Sequence, residues 1–509
     1  ELMEYSAIER AELKEKMPSI DILIVRSRTK VDKDLLENAR NLKIALRAGI
    51  GLDNIDVPAA TERGIIVMNA PTGNIVTTAE HALAMLFAVS RRITAADASL
   101  RKGQWEKKKF QGSEIRGKTL GIVGLGNIGK TVAERAIALG MKVVGFDPYV
   151  SNDIAAKHNI TSLTMDALLG TSDYVSLHLP FAQSTKHLLN RETIKKMKKG
   201  AYLINCARGG IVDETALVEA LENGHLKGAA LDVFETEPLP TNSPLLKRDD
   251  IVLTPHLGAS TDEAQVQVSL EVAEQVSDFI QYGALKNAIN VPNVTVEQLS
   301  VLKPCLTLCE RLGAFTAQVI PSKTVKRIQV HYEGECGGNQ DKNPDLKIMT
   351  LSILNGFLSH LLSTQCNFVN AKKLLKENGI SVEESFEPSC ADYRQLISLT
   401  IDGANEMTVS GTLFGKEEPR IVRIDRFSTD VVPTGHLLYI RHVDQPGTVG
   451  EIGRVMGEHG INISRIHLSD APRKTEAIAL FKTDSEPPAA LLEELKKLKG
   501  MHSIKALSL

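Results

Sequence analysis

The sequence is short of three things. It has only six cysteines in 509 residues, at 206, 305, 309, 336, 366 and 390, and no two form a CxxC pair. That usage speaks against a disulfide framework and fits free thiols in a reducing compartment. Cys305 and Cys309 would share one face of a helix, but two ligands do not make a zinc site, so no metal is expected. Excess charge is also missing, since 60 Lys and Arg stand against 62 Asp and Glu. Without a strong bulk field, neither nucleic acid nor an acidic membrane is expected as a partner. No apolar run approaches the roughly 18–20 residues that a membrane span needs. What is there, 43% hydrophobic and 24% charged residues, is the profile of globular protein. The length implies three or four domains.

The chain opens on "ELMEYSAIER", without Met, and its first strand-like run is "IDILIVRS" at 20–27. A cytoplasmic location is the expectation; an organellar targeting segment ahead of this start would be invisible. From 40 to 256, apolar runs alternate with helical stretches: "LKIALRA", "GIIVMNA", "TLGIVGLG", "KVVGFD", "YVSLHLP", "AYLINCA", "AALDVF" and "IVLTPH". Continuous apolar residues suit strands covered on both faces, and the alternation predicts a parallel α/β sheet. One long helical stretch is expected over 77–102 and another helix over 261–282. After "NVPNV" (290–294) the texture turns mixed up to 433, with a loop-like "GECGGNQDKNPDL" and a helical "TLSILNGFLSHLLS". From 437 the order is strand, helix, strand, strand, helix and a last short strand, the ferredoxin-like plan.

"GLGNIG" sets Gly124, Gly126 and Gly129 in a GxGxxG between a strand and a helix. The first glycine permits a tight turn, the second lets backbone approach a pyrophosphate, and the third lets helix and strand pack. The helix N-terminus then offers N–H groups to phosphate. Asp147 ends the next strand, near the expected spacing of about 20 residues. A carboxylate there accepts both ribose hydroxyls and repels a 2′-phosphate; with no Arg beside it, NAD is favoured over NADP.

Three segments follow apolar strands: "NCARGGIVDE" (205–214), "LDVFETEP" (231–238) and "TPHLGAST" (254–261). All should project from the carboxyl edge of the sheet, where open α/β folds hold ligands. Oxidising a secondary alcohol needs a hydride acceptor, a base for the proton and a cation for a substrate carboxylate. Arg208 suits the last, because a guanidinium grips a carboxylate with two parallel hydrogen bonds. His256 suits the base, and Glu237 would stabilise its imidazolium. Each also has a plain structural reading, and spacing alone does not bring the three together.

These segments and the glycine motif, with "RAGIGLDNIDV", "NAPTGN" and "GKTLGIVGLGNIG", match in order and spacing those of the D-2-hydroxyacid dehydrogenases. The chain resembles most the long phosphoglycerate-oxidising branch, over essentially its whole length. The resemblance implies a Rossmann-type nucleotide domain (71–256) inserted in a flavodoxin-like substrate domain (1–70 and 257–285). An α+β intervening domain (300–433) and a ferredoxin-like ACT domain (437–509) would follow. It also implies that the family's opening strand and helix are missing from this N-terminus, at a cost in stability of the substrate lobe. By resemblance, Arg208, Glu237 and His256 are catalytic. Ile50, Gly124, Gly126, Asn127, Ile128, Gly129, Asp147, Cys206, Ala207, Asp232 and Gly258 would line the NAD site, with Asp232 on the carboxamide. Ile50 and Asn127 depart from residues common in the family.

A phosphorylated substrate, 3-phosphoglycerate, needs its own cations. Arg26, Ser27 and Arg28 of "VRSRTK", Asn74, and Lys109 of "WEKKKF" stand at the family's substrate-side positions. The lysine run also reads as a solvated helix end, and "KKMKKG" (195–200) as helix C-terminal charge before a glycine cap.

In "HVDQPGTVGEIGRVMGEHGIN" (442–462), Asp444 would take the ammonium of a free amino acid and the N–H groups after Gly447 its carboxylate. Asn462 would bond across a subunit interface. The resemblance implies L-serine as effector and a homo-oligomer, a tetramer by family expectation. Arg420, Arg423 and Arg426 of "PRIVRIDRF" are candidate anion contacts, although alternation puts the first two on opposite faces. Competing expectations are another 2-hydroxyacid dehydrogenase or 2-oxoglutarate reductase, and an NAD-sensing corepressor, against which residues 300–509 speak.

Overall fold

Each expected apolar run becomes a short strand, and most of these are buried on both faces. In the computed structural model, β1 (Ile22–Val25), β2 (Ile44–Arg47) and β3 (Ile66–Asn69) pair in parallel, in that order. Three strands are fewer than a flavodoxin-like sheet carries. The returning segment adds only an isolated bridge from Met68 to Ala288. The structure describes residues 2–5, 7–321, 324–336, 344–362, 366–403, 406–415, 417–470 and 476–509. Part of the expected loop "GECGGNQDKNPDL" lies outside them.

The larger sheet holds β4 (Thr119–Val123), β5 (Lys142–Phe146), β6 (Thr161–Ser162), β7 (Tyr174–Leu177), β8 (Ala201–Asn205), β9 (Leu226–Leu231) and β10 (Ile251–Leu253). All seven are parallel, ordered β10-β9-β8-β7-β4-β5-β6. The order reverses at β4, the switch point where such sheets bind ligands. Helices cover both faces, and two apolar clusters, one around Leu120 and Ile204 and one around Val175 and Leu203, fill the layers.

The stretch expected as one long helix is two, Ile75–Arg91 and Ile93–Arg101. Arg92 breaks them by taking a left-handed conformation with φ 55°, and its guanidinium stacks over Phe110 with 5.6 Å to the ring centre.

The residues divide into two compact units. One comprises Ala48–Gly51 and Ala70–Ala273; the other comprises Glu1–Arg47, Leu52–Asn69 and Glu274–Leu509. The first runs past 256 because the Asp262–Tyr282 helix begins on it. Glu271 there accepts the Thr72 and Gly73 N–H groups at 3.2 and 3.1 Å.

In the second unit, β11 (Val325–Gly334), β12 (Ser381–Glu387), β13 (Gln395–Gly403), β14 (Met407–Phe414), β15 (Glu418–Ile424) and β16 (Phe427–Val431) form a six-stranded sheet. The Val296–Val319 and Pro344–Leu361 helices pack together on it. They approach so closely that a Cβ on Gly313 would lie 2.0 Å from the Ile353 carbonyl. Finally β17 (His436–Val443), β18 (Ile463–Asp470), β19 (Glu476–Thr483) and β20 (Met501–Ser508) make an antiparallel sheet ordered β18-β19-β17-β20. Alternation splits its faces. Leu438 and Ile440 face the Thr448–Glu458 and Ala489–Leu495 helices. Leu437, Tyr439, Ile478, Leu480 and Leu507 instead join the core of the preceding domain, beside Leu308 and Phe315. The two domains therefore share one continuous core.

Candidate active site

Because the larger sheet is parallel, the loops after β4, β5, β7, β8, β9 and β10 leave one edge. The glycine loop follows β4. Gly124 has φ 98°, and a Cβ there would meet the His178 carbonyl at 2.4 Å. A Cβ on Gly129 would lie 2.0 Å from the Gly124 carbonyl, whereas one on Gly126 would meet nothing within 4 Å. The three positions thus supply a tight turn, helix packing and an open approach, the needs of a pyrophosphate. Asn127 and Ile128 begin the Asn127–Ala138 helix, whose N-cap Gly126 makes no side-chain bond, so the first-turn N–H groups remain for phosphate.

Asp147 accepts the Leu125 N–H at 2.9 Å and the Tyr149 N–H at 2.8 Å. Its carboxylate braces the glycine loop and keeps lone pairs for a ribose diol. These residues fit a dinucleotide without a 2′-phosphate. Cys206 and Ala207 are buried at 5% and 9% exposure directly after β8; burial pushes the Cys206 thiol far up, so it is no nucleophile. Ile50 is half-buried in the same unit. Nothing in the sequence pointed to His178, whose pKa burial pushes down to about 4. Its ring is neutral at working pH, with Nε2 2.9 Å from Ser176 Oγ.

Arg208 leaves β8 in a loop stitched by Asn205, whose amide donates to the Arg208 carbonyl at 3.0 Å and accepts the Ala207 N–H at 3.1 Å. Arg208 Nη1 donates to the Ala207 carbonyl at 2.6 Å. This loop lies against the one after β9: a Cβ on Gly209 would be 1.8 Å from the Phe234 carbonyl. Glu214 and Glu235 link them reciprocally. The Glu235 N–H donates to the Glu214 carboxylate at 2.7 Å and the Glu214 N–H to the Glu235 carboxylate at 3.2 Å. Burial, then the Glu235 charge, raises the Glu214 pKa.

Glu237 is fixed at both oxygens. Oε1 accepts the Phe234 N–H at 3.1 Å, and Oε2 lies 2.8 Å from His256 Nδ1. A carboxylate only accepts, so Nδ1 carries the proton and Nε2 of the neutral ring keeps its lone pair. His256 stands at φ 55°, in the left-handed region that residues with a Cβ adopt uncommonly.

Asp232, expected beside the cofactor carboxamide, also ties together a turn of the chain. Its carboxylate is 1% exposed and accepts the Leu257 N–H at 2.7 Å, the Gly258 N–H at 2.8 Å and the Thr254 hydroxyl at 2.5 Å. His81 Nε2 lies 3.1 Å away. Burial alone would raise its pKa, but His81, Thr254 and the Leu257 N–H outweigh it and hold the pKa down. The carboxylate shapes the turn that carries His256, which one-dimensional spacing could not reveal.

Of the substrate-side candidates, Asn74 is buried at 8% with Oδ1 lacking a partner. Lys109 is half exposed, 3.6 Å from Glu106 and with its ammonium 5.7 Å from the Phe110 ring centre. In the other unit, Arg26, Ser27 and Arg28 are exposed directly after β1, and the Asn54 amide holds the Arg26 carbonyl at 2.9 Å. Arg420 pairs with Glu418 and Asp430, at 2.8 and 3.1 Å, and Arg426 with Glu476 at 2.7 Å. Arg423 Nη2 lies 3.7 Å from Asp392.

In the last domain Asp444 is exposed, and Gly447 caps the Thr448–Glu458 helix at φ 90° without a side-chain bond. Asn462 donates to Asp484 within the chain, at 2.5 Å, instead of presenting an unengaged amide. His442 is buried at 2%, its Nδ1–H on the Val443 carbonyl at 2.8 Å and Nε2 without a partner.

Among the described residues, no His, Cys, Asp and Glu cluster could hold a metal, and no helix is long and apolar enough to cross a membrane. Residues 83–258 match the D-isomer specific 2-hydroxyacid dehydrogenase NAD binding domain, 301–425 the D-3-phosphoglycerate dehydrogenase intervening domain, and 436–500 the ACT domain. The chain is similar to D-3-phosphoglycerate dehydrogenase of Bacillus subtilis, with 41% identity over 98% of this chain and 94% of that one. The Methanocaldococcus jannaschii enzyme of the same name is 38% identical over 99% and 95%. Among solved structures, the TT0316 protein from Thermus thermophilus is 37% identical with TM-score 0.52, covering 57% of this chain and 92% of that one. NAD-dependent formate dehydrogenase from Staphylococcus aureus in complex with NAD is 31% identical with TM-score 0.52, covering 56% and 87%. With its NAD-binding, intervening and ACT domains in that order, this chain belongs to the D-3-phosphoglycerate dehydrogenase family.

Proposed function

We propose that the chain oxidises D-3-phosphoglycerate to 3-phosphohydroxypyruvate with NAD, the first step of phosphorylated L-serine synthesis, and that L-serine restrains it through the ACT domain. The observation that carries the chemistry is the 2.8 Å Glu237–His256 pair at the open edge of the parallel sheet. NAD, when bound, accepts the hydride from the carbinol carbon. His256 Nε2 takes the hydroxyl proton, and the Glu237 carboxylate stabilises the imidazolium that forms. Arg208 grips the substrate carboxylate in a bidentate pair. Asn74, with its unpartnered buried oxygen, supports a substrate contact. Arg26, Ser27, Arg28 and Lys109 supply donors and charge for the phosphate. Ile50, Cys206, Ala207 and Gly258 line the cofactor site.

In the tail, serine's ammonium pairs with Asp444 and its carboxylate with the N–H groups after Gly447. Asn462 is engaged by Asp484 in the isolated chain and would exchange that bond for a partner subunit or for serine. Serine inhibits only by binding the inactive arrangement more tightly than the active one. The working form is a cytoplasmic homotetramer, to be checked by light scattering.

The test is NAD reduction with 3-phosphoglycerate while L-serine is titrated. Turnover suppressed by serine, with Asp444→Ala unresponsive but active, supports both parts. Turnover indifferent to serine removes the regulatory part. No turnover in a chain that binds NAD refutes the catalytic part.

A further inference from the structure

Asp232 Oδ1 gathers three neighbours, and the distances fix how their protons are shared. The Thr254 hydroxyl has one proton and sits 2.5 Å from a carboxylate, which can only accept. That proton is therefore spent on Asp232. Thr254 Oγ1 also lies 3.2 Å from His81 Nε2, so in this contact it accepts. His81 Nε2–H is thus shared between Thr254 Oγ1 and, at 3.1 Å, Asp232 Oδ1. His81 stands mid-way along the Ile75–Arg91 helix, between the buried Ala79, Ala82 and Met85. The helix is a rigid post, and the 254–258 turn is moored to it through this proton.

We propose that His81 is a positioning residue: through Asp232 and Thr254 it holds the turn that sets the catalytic His256 at φ 55°. The left-handed backbone of His256 is braced by neighbouring bonds. The His256 N–H itself donates to the Asp232 carbonyl at 2.9 Å, and the side-chain bonds run from the Leu257 and Gly258 N–H groups to the Asp232 carboxylate and from there to the helix. Without the His81 donor, the nearly inaccessible Asp232 carboxylate loses one hydrogen-bonding partner, and Thr254 loses the donor that orients it. The turn then samples other conformations, and His256 leaves its line to the substrate hydroxyl part of the time. His81 acts through its neighbours and not on the reacting atoms. The proposal rests on the dehydrogenase reading above for its kinetic arm only.

The experiment compares His81→Leu with His81→Gln, whose amide nitrogen can occupy nearly the position of Nε2. His81→Leu should lower kcat for 3-phosphoglycerate by about tenfold to a hundredfold, the effect of losing a hydrogen bond to a charged group. KM values should stay within about threefold, the hydrogen-bond donor being remote from bound substrate. His256 should react several-fold faster with diethyl pyrocarbonate, read by peptide mapping. His81→Gln should restore both readouts towards wild type. Wild-type kcat and modification rate in His81→Leu, or a His81→Gln as impaired as His81→Leu, would overturn the proposal. Should His81→Leu not fold, Thr254→Val, which keeps shape and removes the relay, must show the same kcat loss; normal turnover in it overturns the proposal equally. If the wild type does not oxidise 3-phosphoglycerate, the functional reading fails by itself, and the modification rates still decide the role of His81.

Discussion

Asp232→Asn keeps the shape of a buried side chain and changes only its hydrogen-bonding sense. The carboxylate accepts from Leu257, Gly258 and Thr254, with His81 at 3.1 Å. An amide has one acceptor atom. Whichever way it turns, its NH2 meets either the Gly258 N–H or the Leu257 N–H, donor against donor. One backbone N–H and one amide N–H are then left without acceptors, which costs about 2–4 kcal/mol of local stability. A turn displaced by about 1 Å lowers kcat by roughly a hundredfold. Hydrogen exchange of a peptide spanning 254–262, read by mass spectrometry, reports the local opening, and steady-state kinetics report kcat. The pH dependence has a definite sign. The folded-state pKa of Asp232 is depressed, so its contribution is fully present above the unfolded value of about 3.9 and is lost as pH falls through the folded value. The gap between variant and wild type must be widest near neutrality and close in acid. An unchanged exchange rate at pH 7 together with kcat within twofold would refute the assignment.

His256→Ala should cut turnover by about 10²–10⁴-fold and leave NAD affinity unchanged by calorimetry; undiminished turnover would remove His256 as the base. Gly129→Ala places a Cβ 2.0 Å from the Gly124 carbonyl, so NAD affinity should fall at least about a hundredfold (~2.7 kcal/mol), and titration showing wild-type affinity would contradict the cradle. The His178 pKa drops from 6.5 to about 4. The neutral ring therefore stabilises the fold fully above 6.5, and that stabilisation erodes between pH 6.5 and 4, by about 3 kcal/mol in all. His178→Gln should flatten urea-unfolding stability across that window, and parallel pH profiles for the two proteins would show that His178 does not titrate as described.

Much of the fold is legible in the sequence because burial on both faces writes itself as continuous apolar runs, and all of those runs become strands. The glycine cradle is legible for a steric reason, since each of Gly124, Gly126 and Gly129 answers a separate demand of backbone approach. The break at Arg92 is not, because neither Gly nor Pro marks it; an arginine held left-handed against Phe110 is a tertiary decision. The tasks of Asp232, His81 and Thr254 are equally silent, for His81 lies 151 residues before Asp232 and 173 before Thr254 and meets them only through folding. Asn462 shows the same limit in reverse. Its place at a strand start is readable, but its engagement by Asp484 is not.

The merged core of the last two domains bears on how this protein could be shortened or rearranged. A chain ending near Val432 would not be a trimmed version of the same molecule. It would strip Leu437, Tyr439, Ile478, Leu480 and Leu507 from the apolar surface around Leu308 and Phe315, leaving a greasy scar where a tail had been. The reverse graft fares no better, since the tail alone would carry the matching scar into water. A protease nick at the 433–435 link would sever the chain without releasing the piece.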